Sequence, residues 1–206
     1  MSRSSSQRRQ SSPAIHQVSL AVLVAVAFGV AVSVVKGNGG GVRATIGNTS
    51  APWLLLPFVA GAVAGRARPT LSAGVGTLVS FMALGGFYLT NTWVLDLGPH
   101  PWVVDLRLTF NAGREFFLLA VVSGPLFGAL GGLWQQRRSV GLAVLVSTLL
   151  VLEPLAWLAY ESIGPAAHYS NHPIVWAVEM VFGLGACTLA ARVTQLMGPA
   201  DQTYRS

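Results

Sequence analysis

Two acidic residues lie inside apolar runs of the sequence, where an ionised group is expensive to place. Glu153 lies in the run 140–160, and Glu179 lies in the run 173–191. A carboxylate near the bilayer centre costs about 2.5–3.5 kcal/mol on insertion scales, so such groups usually face a bundle interior or water. Each acid lies about three residues, or about 4–5 Å at 1.5 Å per residue, from the midpoint of its run, toward the outer side of the membrane. Antiparallel helices would therefore bring the two carboxyl groups to one depth.

Two carboxylates in contact tend to share a proton, which suits cation binding, a hydrogen bond to a polar ligand, or proton coupling. A purely structural role is the alternative: each acid caps a freed backbone group or pairs with a basic residue, for which Arg114 is available. Polar residues at a similar depth complete the predicted ligand-binding set. That set is Glu153, Glu179, Glu115, Arg114, Tyr88 and Asn91.

The neighbours of both acids favour a polar, slightly irregular pocket in the outer half of a helix bundle. Pro154 follows Glu153 and has no N–H, which frees the carbonyl of Leu150. On the other run, small residues share a helical stripe with the acid and indicate a helix–helix contact. The stripe consists of Glu179, Gly183, Ala186 and Ala190.

Other patterns with chemical potential are weaker. His168 and His172 have the i,i+4 spacing of metal ligands, but Pro165 and Pro173 bracket them and disfavour a helix that presents both rings. Ser123 lies beside a glycine in an apolar run, as the nucleophile of an intramembrane serine protease does. The sequence around it lacks the Gly-x-Ser pattern of such proteases, and the sixth apolar run lacks their partner histidine. We therefore expect no catalytic residues, no metal site, no cofactor and no enzymatic activity.

The composition identifies the class of protein that must hold these acids. Hydrophobic residues make up 52% of the chain and charged residues 10%, against roughly one quarter charged in soluble domains. The apolar surface must therefore face a lipid bilayer. The net charge of +6 comes from short basic clusters between apolar runs, which indicates membrane topology rather than nucleic-acid binding.

The apolar runs predict an all-α membrane protein with six transmembrane helices. The runs are 18–35, 51–65, 71–90, 116–134, 140–160 and 173–191. With the N-terminus inside, nine basic residues face the cytoplasm and four face outward, which follows the positive-inside rule. We expect a disordered cytoplasmic tail over 1–17, a transmembrane domain over 18–191 and a cytoplasmic C-terminal tail over 192–206. Arginine outnumbers lysine twelve to one, which together with the richness in Ala, Gly and Val indicates a GC-rich bacterial genome.

The stretch 47–68 is the densest local motif. Asn48, Thr49 and Ser50 are good N-cap residues ahead of a proline that suits a first helical turn. Gly61 and Gly65 form a pair that lets another helix approach closely. A similar order of features over 116–138 suggests a repeated hairpin.

Two outer segments have irregular sequence. The segment 36–47 is dominated by glycine and is expected to be flexible. The segment 91–113 is expected to be a loop, with an alternating stretch at 104–110 that favours a short strand or an interfacial extended segment. Either segment could cover the outer face as a lid, or simply cover helix ends.

Segments 47–56 and 123–132, together with Glu153 and Glu179, resemble an uncharacterised actinobacterial family of six-span membrane proteins, classed as a domain of unknown function. The resemblance covers about residues 18–191 and implies a plasma-membrane location without an established activity. Six spans in this length are also similar to the substrate-capture subunits of energy-coupling-factor transporters. Those subunits dock their partner through pairs of alanines, which the pairs Ala21/Ala25 and Ala27/Ala31 of this chain resemble.

The functional expectation is a protein that binds or transports a small polar or cationic solute through an outward-facing pocket around the two acids. The alternative is a non-catalytic membrane scaffold or partner subunit, whose glycine faces bind other membrane subunits and whose acids are structural.

Overall fold

The computed structural model describes residues 13–38, 41–64, 68–94, 101–137, 139–163 and 173–196, and within these ranges the protein is built of α-helices without strands. The helices are α1 (Pro13–Lys36), α2 (Val42–Asn48), α3 (Ala51–Ala64), α4 (Pro69–Val94), α5 (Trp102–Arg137), α6 (Val140–Ile163) and α7 (Pro173–Leu196). The all-α prediction is confirmed. Residues 13–17 and 192–196, assigned to the tails, are helical; the rest of both tails lies outside the described residues.

The number of candidate membrane spans is smaller than the predicted six when length and composition alone are considered. Helices α1, α4 and α5 contain apolar stretches long enough to cross a bilayer. Helices α2 and α3 meet at a bend of 40° and pass the same criterion only as one broken span. In α6 and α7 the apolar stretches found among the described residues are shorter, Val144–Ala156 and Ile174–Leu189. The described residues thus contain three or four such spans.

Helix α4 lies at the centre of the bundle and packs against α1, α3 and α5. Its contacts with α5 are so close that a Cβ on Gly128 would lie 2.4 Å from the carbonyl oxygen of Ser72. Between α3 and α5, a Cβ on Gly61 would lie 2.1 Å from the carbonyl oxygen of Gly128. Small residues thus let these backbones touch, as is usual where helices associate in lipid. The predicted packing role of Gly61 is confirmed; Gly65 lies outside the described residues.

Aromatic side chains join the same helices near the α2–α3 junction. The Trp53 ring of α3 meets Phe28 of α1 edge-on at 5.1 Å between centroids and Phe87 of α4 at 5.6 Å. The Lys36 ammonium lies 5.5 Å from the centroid of Phe87. Such edge-on pairs contribute about 0.5–1.5 kcal/mol beyond their buried area. The start of α3 is therefore fixed laterally against α1 and α4.

The predicted strand at 104–110 is wrong, because this segment forms the first turns of α5. Its alternating polarity is overridden by packing at the helical period, since Thr109, Gly113 and Ala120 are all buried. Gly113 faces the ring of Tyr88, and Phe110 stacks on Phe117 with centroids 5.4 Å apart. Most of the expected loop 91–113 is therefore helix.

The glycine-rich segment 36–47 is also more ordered than predicted, because Val42–Asn48 forms α2. Gly41 precedes it with φ of 84°, in the region that favours glycine. Arg43 of α2 donates to the carbonyl oxygens of Val35 and Val34 at 2.9 and 3.0 Å. Its guanidinium thereby satisfies carbonyl groups at the C-terminus of α1, where cations are stabilising.

The suggested hairpin repeat does not extend to packing in the described residues. In the predicted repeat, the pair α5 and α6 corresponds to the pair α3 and α4. Helix α3 packs closely on α4, whereas α5 and α6 make few contacts with each other. Helix α6 instead pairs with α7, and this hairpin contacts α2, α3 and α5 only sparsely.

Candidate functional site

The α6–α7 hairpin positions the two acids of the last apolar runs opposite each other. A Cβ on Gly183 would lie 2.8 Å from side-chain atoms of both Leu150 and Val151, so the two helices approach closely at this level. Glu153 lies one turn further along α6, and Glu179 lies one turn back along the antiparallel α7. The structure therefore brings the two carboxyl groups together, and they interact electrostatically.

Glu153 is half-buried and bound to the N-terminus of α3. Its Oε1 accepts the backbone N–H of Ser50 at 2.5 Å, and its Oε2 accepts that of Ala51 at 2.6 Å. The first N–H groups of a helix have no partner within it, and the positive end of its dipole favours an anion. Glu153 thus caps α3 with both oxygens.

The prediction that Asn48, Thr49 or Ser50 caps α3 is therefore wrong, because the accepting side chain is that of Glu153. The hydroxyl of Thr49 donates to the carbonyl of Ile46 at 2.9 Å and ends α2. The capping group of α3 comes from α6, 103 residues away in sequence. The structural alternative, in which an acid caps a backbone group, therefore applies to Glu153. The groups that it caps are the N–H groups at the start of α3.

Glu179 differs from Glu153 in having no such partners. Its residue is 8% exposed, and no N–H or hydroxyl group of the described residues donates to either carboxyl oxygen; the carboxyl group of Glu153 lies within its reach. Of the described charged groups, Glu153 is the one that acts on it. A buried carboxyl without donors is costly in its ionised form, and a neighbouring carboxylate increases that cost.

The carbonyl group of Leu150, one helical turn before Glu153, is a further oxygen acceptor at the contact of α6 with α7. Pro154 is fully buried within α6 and provides no N–H for the carbonyl of Leu150. Gly183 brings the α7 backbone to within van der Waals range of this same residue, its Cβ position being 3.2 Å from the Leu150 carbonyl carbon. Among the described residues, the α6–α7 interface therefore contains the Glu179 carboxyl group and the Leu150 carbonyl group as oxygen acceptors, whereas backbone N–H groups of the α3 start bind Glu153.

The other four predicted ligand-binding residues do not join the acids. Tyr88 and Asn91 are buried on α4, and Tyr88 packs against Gly113 of α5. Arg114 and Glu115 are exposed on α5, and within the described ranges no ion pair links Arg114 to either acid. These four are separated from the acids because α4 and α5 pack on each other and on α3, whereas among the described residues α4 does not contact the α6–α7 hairpin and α5 contacts it only sparsely.

Sequence reasoning missed the N–H groups of Ser50 and Ala51. A signal was present, because a helix that begins inside an apolar region needs an acceptor and two acids lie in other apolar runs. Where residues are described, no group of three or more His, Cys, Asp or Glu side chains is placed to hold a metal ion. His168 and His172 lie outside the described residues.

Comparison with known proteins gives a family without an activity. No curated protein and no solved structure matches the chain, so nothing supports the resemblance to transporter capture subunits or an actinobacterial origin. The sequence model of a family of unknown function matches residues 8–199, a range that includes every described helix and extends beyond the expected 18–191. The chain therefore belongs to the family of unknown function DUF6518.

Proposed function

We propose that this protein binds a small polar or cationic solute in a pocket around Glu179 and Glu153, and that it serves uptake, export or sensing. One observation carries the proposal: Glu179 is buried, and no N–H or hydroxyl donor among the described residues reaches either of its carboxyl oxygens. A folded protein rarely retains such a group without use, because each unmade hydrogen bond costs about 1–3 kcal/mol. A solute with donors or a positive charge would recover that free energy.

The proposal includes six spans, cytoplasmic termini and a bacterial plasma membrane. Helices α6 and α7 have 24 residues each, or about 36 Å at 1.5 Å per residue, which exceeds the bilayer core of about 30 Å. Helices α2 and α3 pass the length and composition criterion together, as expected of one broken span. The excess of basic residues on one set of connections supports the orientation. With this topology the acids lie in the outer half of the bilayer.

The experiment compares purified wild type, Glu179→Gln and Glu115→Gln for thermal stabilisation by a panel of amines, amino acids and polyols at fixed pH and salt. A bound solute stabilises the folded state in proportion to the logarithm of its concentration over Kd. We expect at least one solute to stabilise wild type and Glu115→Gln but not Glu179→Gln. An equal response in all three proteins would refute the proposal.

The cap formed by Glu153 favours a second candidate, a non-catalytic scaffold or partner subunit. In that case the acids only fix α6 and α7 against α3, and the glycine-lined helices bind other membrane subunits. This candidate predicts that Glu179→Gln loses stability or a co-purifying partner without any solute effect. The same three proteins therefore discriminate between the two candidates.

A further inference from the structure

We propose that Glu179 exchanges a proton for one alkali cation, while Glu153 remains an ionised cap of α3. This inference rests on the proposed function and assigns different roles to the two acids. The exchange is balanced: the protonated carboxyl releases H⁺ as the cation binds the carboxylate, and no electron moves.

The hydrogen bonds of the two acids distinguish them. Both oxygens of Glu153 accept backbone N–H groups, and protonating either oxygen would lose one of these bonds. The dipole at the start of α3, equivalent to roughly half a positive charge, adds to this preference for the anion. Glu179 has no comparable donor among the described residues. The exchangeable proton therefore belongs on Glu179.

The local charge balance indicates a single positive charge as the ligand. The N-terminus of α3, equivalent to roughly half a positive charge, offsets Glu153 only in part, so an ionised Glu179 would leave about 1.5 net negative charges in a buried place. A proton or a monovalent cation reduces this to about half a negative charge, so exchanging one for the other leaves the net charge of the site unchanged. A divalent cation in place of the proton would reverse the sign of that charge.

The described basic residues on the elements around Glu179 do not neutralise it. Among the elements that pack on α7, α6 carries the acids Glu153 and Glu161 and no basic residue, and α2 carries Arg43; on α7 itself, Arg192 is 13 residues from Glu179. The Arg43 guanidinium donates to the carbonyl groups that end α1. At the end of α1, the Lys36 ammonium lies over the ring of Phe87. Neither acts on Glu179, so no internal cation of the described chain takes the proposed place.

The available atoms suit an alkali cation. Glu179 contributes two free carboxyl oxygens, and Leu150 contributes a carbonyl oxygen whose i+4 donor is removed by Pro154. Oxygen ligands of this kind are preferred by hard cations. Gly183 permits the approach of α6 and α7 that places these groups on the same interface.

The test uses the full chain in lipid nanodiscs, with sodium chloride compared with N-methylglucamine chloride at equal ionic strength. Thermal stability is measured from about pH 5 to about pH 9, a range that spans the titration of a buried carboxyl. For wild type and Glu115→Gln we expect no sodium-specific stabilisation at the acidic end and a growing increase in Tm as pH rises. For Glu179→Gln we expect no sodium-specific increase at any pH.

A second measurement follows the proton itself. Adding sodium chloride to weakly buffered wild type at intermediate pH is expected to release about one proton per bound cation, detected with an indicator dye. This readout remains decisive if Glu179→Gln fails to fold. The inference is overturned if sodium gives no proton release, or if the sodium-specific change in Tm persists in Glu179→Gln or is independent of pH.

The two proposals fail separately. A solute effect that depends on Glu179 without any sodium effect would retain the proposed function and overturn the exchange. A sodium effect that depends on Glu179, with no responding solute, would retain the exchange and refute solute binding.

Discussion

Replacing Glu153 by glutamine tests whether this side chain holds the start of α3. The amide keeps one oxygen acceptor but loses the second acceptor and the negative charge. Hydrogen bonds to a charged group contribute about 1.5–3 kcal/mol each, and a charge at a helix terminus contributes about 0.3–1 kcal/mol. Relief of repulsion with Glu179 opposes part of this loss. We therefore expect a net destabilisation of about 1–2 kcal/mol, or a fall in Tm of about 2–8 °C for a chain of this size.

Two measurements check this expectation. Thermal unfolding of Glu153→Gln is compared with that of Glu115→Gln, which changes an exposed acid on α5 and should alter stability by less than about 0.5 kcal/mol. Amide hydrogen exchange then reports the location, because the N–H groups of Ser50 and Ala51 should exchange faster when Glu153 is replaced. Equal stability of the two variants, with unchanged exchange at Ser50 and Ala51, would show that the carboxylate does not cap α3.

Two further predictions concern the packing and the topology. Gly61→Ala is expected to cost about 1–3 kcal/mol by overpacking, because its Cβ would meet the Gly128 backbone; its control, Gly74→Ala, has nothing within 4 Å of the new Cβ and should gain up to about 1 kcal/mol from helix propensity. Equal thermal stability of these two variants would contradict the close contact of α3 with α5. In a Cys187→Ser background, a membrane-impermeant maleimide is expected to label Asn38→Cys in intact cells and Arg137→Cys only after the cells are opened. The reverse labelling pattern would invert the proposed orientation.

Long apolar runs made six of the seven described helices predictable, because backbone groups in lipid must be paired within a helix. The common depth of the two acids could also be predicted, since Glu153 and Glu179 lie equally far from the midpoints of their apolar runs. The contact of Gly61 with another helix could be predicted because only small residues allow backbones to approach so closely in a membrane.

The remaining features depend on tertiary contacts that local patterns do not contain. At 104–110 the polarity alternates as in a strand, but the burial of Thr109 and Gly113 against α4 selects a helix. The start of α3 had three suitable local caps, and the acceptor that prevails belongs to another hairpin. Only the packing of α6 beside α3 determines that choice, and it also determines which of the two acids keeps free oxygens.

The cap of α3 has a consequence for biogenesis. Glu153 follows Ser50 by 103 residues, so at about 5–20 residues per second a ribosome needs about 5–20 s between them. During that interval the first N–H groups of α3 must be satisfied by water or by the insertion machinery. The break between α2 and α3 can therefore reach its final form only after α6 has been synthesised and has packed beside α3. A nascent chain halted after α5 would contain α3 with a provisional N-terminus, and completion of the α6–α7 hairpin would be the step that locks the earlier helices.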